Sequence, residues 1–558
     1  MNNPGLAEFD LSKYTGIQNQ NFYHLDRPFQ TILEFYATNY EANHKQAMFS
    51  HIGGYGALVG GILNELTIAC HKEGKYGELV SYDRFGNRID QIVYAKEQLE
   101  SRKISYEYGI VNLDSHPNWK HPFTNLHKYS LAYLANMNGE GGVTCPLAMT
   151  DGLIKALHAI GTPEQKNIFL PILTAPDSKS HFMAGQYVTE RVGGSNVGAN
   201  RTVATQKGNG NWVLNGEKWF CSNPGDVWVT TARVEGTNTI GMFLVSRVRK
   251  DGTLNGCILK RKKEIIGSRG KLTVESVYED CEATELGRVT HGLSNLIHYI
   301  IQTSRIHVSI AELGISKRAI LEAKAYVSVR TAYSKKVQEY KIIQKALAEM
   351  NLIHLGMSVL VFKVISILDS QDKFMDLINP LLKYSTTVRT TWIVQQAILL
   401  HGGNGILSDF SVLPRLLNDS IINETWEGTH MVVSEHVLKA FFRPKIQKRF
   451  FEEIQIPDDV VAKRYQGTSA ENLHSVLQKE LEEWMEKDMD VLSQYRLEFC
   501  NVLYELLAIS ELMRFCFAVE SFHEFAIGYA DHIFQKRNDF SKPNLFQESG
   551  SLEKLAFV

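Results

Sequence analysis

The spacing of apolar residues predicts helices along the first part of the chain. Apolar side chains recur at helical intervals over residues 32–36 and 57–66, the pattern of helices that bury one face. Residues 82–90 interrupt this pattern with a Gly-Asn turn, which predicts a surface hairpin. A further helix is predicted to begin at a capping box formed by Thr162 and Gln165. Roughly the first 175 residues are therefore expected to be mainly helical.

The pattern changes to short alternating runs near residue 181 and returns to helical spacing near residue 293. The runs are rich in Val, Thr, Tyr, Phe and Trp and are separated by Gly and Asn, which is typical of strands in an antiparallel β domain. The predicted strands are 182–187, 201–206, 212–214, 227–233 and 241–246. Residues 207–211 predict a hairpin tip. The order of helices, strands and helices predicts an α+β fold with segregated elements.

Composition and charge exclude several classes of protein. The 558 residues include 59 Lys and Arg against 61 Asp and Glu, and the resulting charge of −2 provides no general attraction to nucleic acid. Hydrophobic residues make up 44% and charged residues 22%, which allows a sizeable globular core. Seven scattered cysteines without a CxxC pair argue against a disulfide framework and a zinc site, so no metal is predicted.

The sequence indicates neither a signal peptide nor a membrane span. The first ten residues lack both a basic region and an apolar region. The most apolar run, 355–368, contains Lys363 and is too short to cross a bilayer. Unpaired cysteines also favour a reducing compartment. We therefore predict a cytoplasmic protein without membrane contact.

A carboxylate flanked by an aromatic residue and a glycine is the main catalytic candidate. Glu427 lies between Trp426 and Gly428, directly before an apolar run that predicts a helix with Thr429 as its N-cap. At the positive end of a helix the ionised carboxylate is favoured, so Glu427 is expected to be charged and able to act as a base. An ordinary capped loop is the alternative interpretation, and Glu424 is the competing carboxylate.

Two segments of the predicted β domain carry polar groups suited to a ligand. Segment 188–197 places the hydroxyls of Thr189 and Ser195 around a double glycine, although a tight turn would explain the same residues. The Lys-Ser/Thr of a phosphate loop is absent. In segment 216–223, Phe220 could stack on a planar ligand while Ser222 donates a hydrogen bond; a core strand is the alternative.

A glycine-rich segment follows a long apolar helix. Residues 401–405 read His-Gly-Gly-Asn-Gly, and a loop of this composition can present backbone N–H groups to a pyrophosphate. A glycine-rich end of a helix is the alternative interpretation. These segments, taken together, resemble one known family.

The chain resembles the FAD-dependent acyl-CoA dehydrogenases over about residues 125–440. The matching motifs occur in the order of that family, and they are Thr189-Glu190, Gly193-Gly194-Ser195, Lys218, Phe220, Ser222, Arg330, Tyr333-Ser334, Gln344, 402–405 and 426–429. Segments 82–90, 116–119 and 142–150, with an extension of over a hundred residues after the 426–429 motif, also resemble the alkylation-response (AidB-type) branch. Asn196, Ser334 and Asn418 depart from the common pattern.

The resemblance implies the fold and the assembly. It implies an acyl-CoA dehydrogenase-like α+β fold with an N-terminal helical domain (1–178), a central antiparallel β domain (179–290), a four-helix bundle that carries the catalytic loop (291–442) and a C-terminal helical extension (443–558). Proteins of this family are usually homotetramers. An electron-transfer flavoprotein is a candidate partner.

The resemblance also implies a reaction and its residues. The reaction is the α,β-dehydrogenation of an acyl-CoA thioester in fatty acid metabolism, with Glu427 as the base and flavin N5 as the hydride acceptor. Some members place the base at a position near Ser304, which cannot serve here. The implied FAD-binding residues are Thr189, Ser195, Phe220, Ser222, Arg330, Gln344, Gly402, Gly403 and Thr429, with Arg330 acting across a subunit interface. Ser195 and Arg305 are the implied substrate-binding residues.

Two alternatives to this function remain open at the level of sequence. AidB-type proteins are associated with DNA, and a flavoprotein with a DNA-associated or protective role and little turnover is the first alternative. A basic cluster could serve it, and its members are Lys439, Arg443, Lys445, Lys448 and Arg449. Acidic residues follow this cluster at once, so a solvated helix end is the default explanation. An acyl-CoA oxidase is the second alternative.

Overall fold

Helices before and after a central sheet make up the computed structural model, which describes residues 11, 14–74, 76–140, 142–207, 211–368, 372–537, 554–555 and 557. The first helices are α1 (Arg27–Tyr36), α2 (Ala42–Gly60), α3 (Ile62–His71), α4 (Lys96–Glu107), α5 (Asn125–Asn136), α6 (Thr144–Ile160) and α7 (Pro163–Leu173). The predicted capping box at the start of α7 is confirmed, because Thr162 and Gln165 exchange side-chain and backbone hydrogen bonds.

A hairpin of β1 (Glu78–Tyr82) and β2 (Arg88–Val93) interrupts these helices, as predicted. The Asp83 carboxylate accepts hydrogen bonds from the backbone N–H groups of Phe85 and Asn87, which closes the turn. Leu79 and Ile92 pack against the core of the central sheet. The hairpin therefore joins the helical part to the sheet.

The central sheet contains β3 (Ala184–Tyr187), β4 (Val203–Gln206), β5 (Asn211–Ser222), β6 (Val227–Val234), β7 (Ile240–Ser246), β8 (Cys257–Lys262) and β9 (Thr273–Glu285). The order is β3-β6-β4-β5-β9-β7, with β8 on β9 and a further β6–β7 pairing that closes the sheet on itself. The central β domain is confirmed. The prediction that the domain is purely antiparallel is wrong, because β3 and β4 pair with β6 in parallel.

The sequence pattern did not reveal β8 and β9. Charged residues on their outward faces, as in the run Lys260 to Lys262 and at Glu279 and Asp280, hide the alternation of buried side chains. Inside the sheet, the Trp228 indole N–H donates to the Tyr278 hydroxyl at 2.9 Å. Part of the predicted tip at 207–211 lies outside the described residues.

The helices after the sheet are α8 (Gly292–Asn295), α9 (Gln302–Val329), α10 (Lys341–Ser366), α11 (Met375–His401), α12 (Leu413–Thr425) and α13 (His430–Phe441). A small hairpin of β10 (Thr331–Ala332) and β11 (Lys335–Lys336) separates α9 from α10. By length and composition, Ala42–His71 and Lys341–Ser366 could each cross a membrane. In Lys341–Ser366, 89% of the apolar window is buried within the protein, which accounts for its apolar composition.

The C-terminal helices are α14 (Pro444–Ile454), α15 (Asp458–Val460), α16 (Ser469–Met485), α17 (Met489–Gln494), α18 (Arg496–Ala518) and α19 (His523–Lys536). Leu477 and Leu481 of α16 are fully buried in the same core as the preceding helices. Glu505 of α18 accepts hydrogen bonds from Arg389 of α11 and from the Tyr529 hydroxyl of α19. The extension therefore packs as an integral layer on the bundle.

Candidate active site

A cavity of about 1410 Å³ is lined by residues from the sheet, from α6 and α9 and from the loop between α12 and α13. One wall is a π-helical turn, Leu296–Ile301, which leads directly into α9. Such turns displace side chains from regular helical positions and are frequent at functional sites. Glu427 lies on this cavity, whereas Glu424 does not line it and instead contacts Thr391 and His430.

Glu427 lies in a short, strained loop. Its φ of 57° is in the left-handed region that non-glycine residues rarely occupy, and Gly428 follows with a φ of 99°. Thr429 occupies the N-cap position of α13, but its side chain makes no capping hydrogen bond. The backbone conformation, rather than a side-chain cap, sets the direction in which the carboxylate points.

Two donors hold one oxygen of the Glu427 carboxylate. The Gln186 amide donates to Oε1 at 2.5 Å and the Ser304 hydroxyl donates to the same atom at 2.7 Å. No side chain in the described part of the chain donates to Oε2. The carboxylate is therefore oriented through Oε1 and keeps Oε2 available for a proton.

Two buried cations hold the loop itself. The Arg305 guanidinium donates to the Glu427 carbonyl from Nε and from Nη2, each at 3.1 Å. The Lys383 ammonium donates to the carbonyls of Glu424 at 2.9 Å and Gly428 at 2.7 Å. Burial lowers the pKa of Lys383 to about 7. These contacts fix the backbone on both sides of the carboxylate.

Burial raises the pKa of Glu427 above its ordinary value, although the Ser304 hydrogen bond and the charge of Arg305 oppose the shift. The expectation that the start of a helix would favour the ionised form is therefore corrected. Removal of the carboxylate from water outweighs the helix dipole, which contributes only fractions of a kcal/mol to about 1 kcal/mol. A raised pKa brings a carboxylate closer to the value that suits a general base near neutral pH.

Replacing Ser304 by Ala is expected to move the pH dependence of any proton abstraction by Glu427 to higher pH. The Ser304 hydrogen bond stabilises the ionised carboxylate, so its loss raises the pKa further and extends the inactive, protonated range upward. The measurement is the pH profile of flavin reduction by an acyl thioester. A profile that stays in place or moves to lower pH would show that Ser304 does not act on this carboxylate.

Six further predicted residues lie on the cavity with Glu427, among them Thr189, Ser195, Phe220 and Ser222. Phe220 is 46% exposed, unlike a core aromatic residue, and the Ser222 hydroxyl lies 3.1 Å from that of Thr273. Arg305 and Thr429 also line the cavity. Because Arg305 is used to hold the Glu427 carbonyl, its substrate-binding role stays a prediction.

Two residues of the matched motifs have structural roles. Lys218 and Glu190 form a fully buried ion pair at 2.8 Å. Glu190 also accepts a hydrogen bond from the backbone N–H of Arg201 at 2.6 Å. This network fixes the segment that carries Thr189 and Ser195.

The remaining predicted residues are not on this cavity. Arg330 ends α9, Gln344 is buried on α10, and Gly402 and Gly403 are exposed after α11. Their role in FAD binding across a subunit interface stays a prediction, because a neighbouring subunit would have to bring them to the cofactor.

The basic cluster is largely neutralised by neighbouring carboxylates. The pairs are Lys439 with Glu435, Arg443 with Asp376, Lys448 with Glu452, and Arg449 with Glu453. A DNA-binding surface needs cations that are free to meet phosphates. The structure therefore adds no support to the DNA-associated alternative.

The sequence pattern does not reveal Gln186 or Lys383, and it shows Ser304 only as a residue that cannot be a second base. A lysine within the apolar run of α11 was the available signal for Lys383. Gln186 carries no comparable signal, because only the fold brings its strand to Glu427.

Three family models match successive segments of the chain. The adaptive response protein AidB N-terminal domain matches residues 13–177, the acyl-CoA dehydrogenase middle domain matches 185–281, and the acyl-CoA dehydrogenase C-terminal domain matches 291–442. Together they cover most of the chain, in the order in which the helical part, the sheet and the bundle occur.

Individual relatives agree with these models. Acyl-CoA dehydrogenase family member 11 of Caenorhabditis elegans is 29% identical over 385 residues, which are 64% of this chain. The match spans 61% of that relative, which is less than two thirds of the relative's length. The AidB protein of Escherichia coli is 26% identical over 405 residues, 67% of this chain and 73% of that protein.

A solved structure shows the same fold. It is a Caenorhabditis elegans acyl-CoA dehydrogenase in complex with C11-CoA, with a TM-score of 0.82 at 22% identity, covering 93% of this chain and 92% of that one. The similarity extends over the sheet, the bundle and the C-terminal helices. The chain belongs to the acyl-CoA dehydrogenase family, in the branch with an AidB-type N-terminal domain.

Proposed function

We propose that the protein catalyses the FAD-dependent α,β-dehydrogenation of an acyl-CoA thioester, with Glu427 as the base. The observation that carries this proposal is the carboxylate itself, held through Oε1 by Gln186 and Ser304 with Oε2 available at the cavity. Removing an α-proton requires a positioned base with a pKa near the working pH. The contacts of Glu427 position it, and burial raises its pKa in the direction that a base near neutral pH requires.

The residues around Phe220 fit a flavin. An exposed aromatic ring provides a face for a planar ring system, and the hydroxyls of Thr189, Ser195 and Ser222 provide hydrogen bonds to its polar edge. Gly194 allows the backbone to pass close to the Thr189 side chain, because a Cβ at this position would lie 2.7 Å from the Thr189 hydroxyl oxygen. Bound FAD would supply the acceptor for the β-hydride at N5.

The exposed end of the cavity fits the phosphates of CoA. Lys373, Lys439 and Arg443 line the cavity and are exposed there, whereas Glu427 lies deeper. Cations at the entrance attract the negatively charged carrier and leave the acyl group directed inward. Arg443 and Lys439 pair with carboxylates in this chain, so CoA would exchange one anionic partner for another.

A homotetramer would complete the FAD sites. Apolar side chains near Arg330 and Gly402 are unusually exposed, namely Tyr333 at 95%, Ile342 at 76%, Leu399 at 70% and Ile406 at 68%. Clustered exposed apolar residues favour a protein interface. Contact through this face would place Arg330, Gln344 and the Gly402 loop against the cofactor of a neighbouring subunit.

Anaerobic mixing of the purified flavoprotein with acyl-CoA thioesters of different chain length tests the proposed function. Bleaching of the flavin absorption band by at least one thioester is expected, because substrate electrons reduce FAD when no acceptor is present. The fastest chain length then defines the substrate class. Bound FAD that no thioester bleaches would refute the proposal. Turnover with oxygen alone would indicate an oxidase, and a requirement for electron-transfer flavoprotein would indicate a dehydrogenase.

Replacing Gly194 by Ala is expected to weaken FAD binding by at least about tenfold, because the added methyl group would displace the Thr189 side chain from its place in the cavity. FAD retention after dialysis, read from the absorption spectrum, is the measurement. Gly225→Ala is the matched control, since its Cβ would meet only one backbone oxygen at 3.8 Å. Equal retention by both variants would contradict this placement of FAD.

A further inference from the structure

Lys271 is a buried cation on the cavity wall. It is 3% exposed and lines the cavity together with Glu427. Its ammonium lies 3.1 Å from the Thr273 hydroxyl and 3.4 Å from the Ser268 carbonyl, the second distance being long for a hydrogen bond. No carboxylate oxygen of the described residues lies within ion-pair distance of it. An ammonium has three N–H groups, so at least one hydrogen is unused.

Two neighbouring donors are also unused. The Ser268 hydroxyl is buried, with the residue 2% exposed, and has no hydrogen-bond partner among the described residues. The indole Nε1 of Trp426 is likewise buried without a partner. Both residues line the same cavity, and the Lys271 ammonium lies 5.3 Å from the centroid of the Trp426 ring. Because both donors belong to residues that line the cavity, a bound ligand could supply the missing acceptor.

Two carboxylates that also line the cavity, those of Glu140 and Asp419, are engaged by other groups and do not form an ion pair with Lys271. The Glu140 carboxylate accepts hydrogen bonds from the backbone N–H groups of Gly142 and Cys145. The Asp419 carboxylate accepts from the backbone N–H groups of Ser268 and Glu140. The cation therefore faces the cavity without a direct anionic partner. An alkyl chain placed against it would bury the ammonium without compensation, which costs free energy.

We propose that Lys271, Ser268 and Trp426 form a subsite for an oxygen atom on the acyl group, so that the preferred substrate is an acyl-CoA bearing a hydroxyl or carboxylate oxygen and not a plain alkyl chain. The three groups are donors, which matches an oxygen acceptor of either kind. Glu427 lies in the same cavity wall, directly after Trp426, so the subsite and the base act on the same bound molecule. The proposal rests on the proposed acyl-CoA substrate and deepens it.

Binding of unreactive CoA thioethers separates this proposal from the proposed reaction, because it needs no turnover. Three thioethers of equal chain length, ending in a methyl group, a hydroxyl or a carboxylate, are titrated into the FAD-loaded protein by calorimetry. At least one oxygen-bearing ligand is expected to bind about tenfold more tightly than the methyl ligand, since a hydrogen bond to a charged donor is stronger than one between neutral groups. The stronger of the two identifies the oxygen group.

Variants assign the preference to the subsite. Lys271→Met is expected to abolish the preference, and Trp426→Phe, which keeps an aromatic ring but removes the N–H, is expected to reduce it about threefold. Lys250→Met, at a lysine whose side chain is 90% exposed, is the control and is expected to keep it. Tightest binding of the methyl ligand by the wild type, or a preference unchanged in both subsite variants, would overturn the proposal. Flavin bleaching by plain acyl-CoA reports separately on the dehydrogenase function.

Discussion

Replacing Glu427 by Gln is expected to slow flavin reduction by acyl-CoA about a thousandfold, since a general base contributes about 10²- to 10⁴-fold to proton transfer. The amide keeps the size of the side chain, and its oxygen can still accept the hydrogen bonds from Gln186 and Ser304. FAD binding and folding are therefore expected to persist. The measurement is the rate of anaerobic bleaching in a stopped-flow instrument, with FAD content determined from the absorption spectrum.

Glu424→Gln is the matched control for this prediction. Glu424 precedes Glu427 by three residues but contacts Thr391 and His430 and does not line the cavity. Its variant is expected to bleach within a few-fold of the wild-type rate. A large loss in the Glu424 variant, with a near-normal rate in the Glu427 variant, would show that Glu424 and not Glu427 is the base.

Replacing Lys383 by Met is expected to lower the maximal rate about a hundredfold with a smaller effect on substrate affinity, because a displacement of about 1 Å at a catalytic group can cost that factor. Lys383 touches neither the cavity nor Glu427 itself, but its ammonium donates to the carbonyls of Glu424 and Gly428 on both sides of it. Without it the carbonyls of Glu424 and Gly428 lose their donor, and the strained loop can relax. The measurement is the separate dependence of rate and affinity on acyl-CoA concentration.

A double variant distinguishes positioning from general destabilisation. If Lys383 acts through Glu427, then Lys383→Met is expected to add little further loss in the Glu427→Gln background, since two residues that serve one function are not additive. A further hundredfold loss in the double variant would show that Lys383 acts elsewhere. Thermal unfolding of both single variants reports on the stability of the fold.

The local elements were predictable because their causes are local. The capping box of Thr162 and Gln165 needs only residues three positions apart, and the hairpin at residues 82–90 needs only its turn. The switch from helical to alternating spacing likewise located the sheet. The parallel pairings of β3 and β4 with β6 were not predictable, since they depend on which distant strands become neighbours.

The ionisation of Glu427 shows where local reasoning fails. The position of Glu427 before α13 predicts a favoured ionised form, and the observed helix boundary agrees with that position. The pKa is nevertheless raised, because enclosure within the cavity removes water from the carboxylate. Enclosure results from the packing of several elements, and it cannot be predicted from the residues that are next to Glu427 in the sequence.

By itself, the sequence determined the order of helices and strands and the identity of the candidate base, because spacing and motif residues are properties of neighbouring positions. Only the tertiary structure decided how that base is held. The Gln186 donor is 241 residues from Glu427 and the Ser304 donor is 123 residues away. Lys383 and Lys271 are also brought to the site by packing. Contacts over such separations depend on how the sheet and the bundle meet, and no local pattern encodes them.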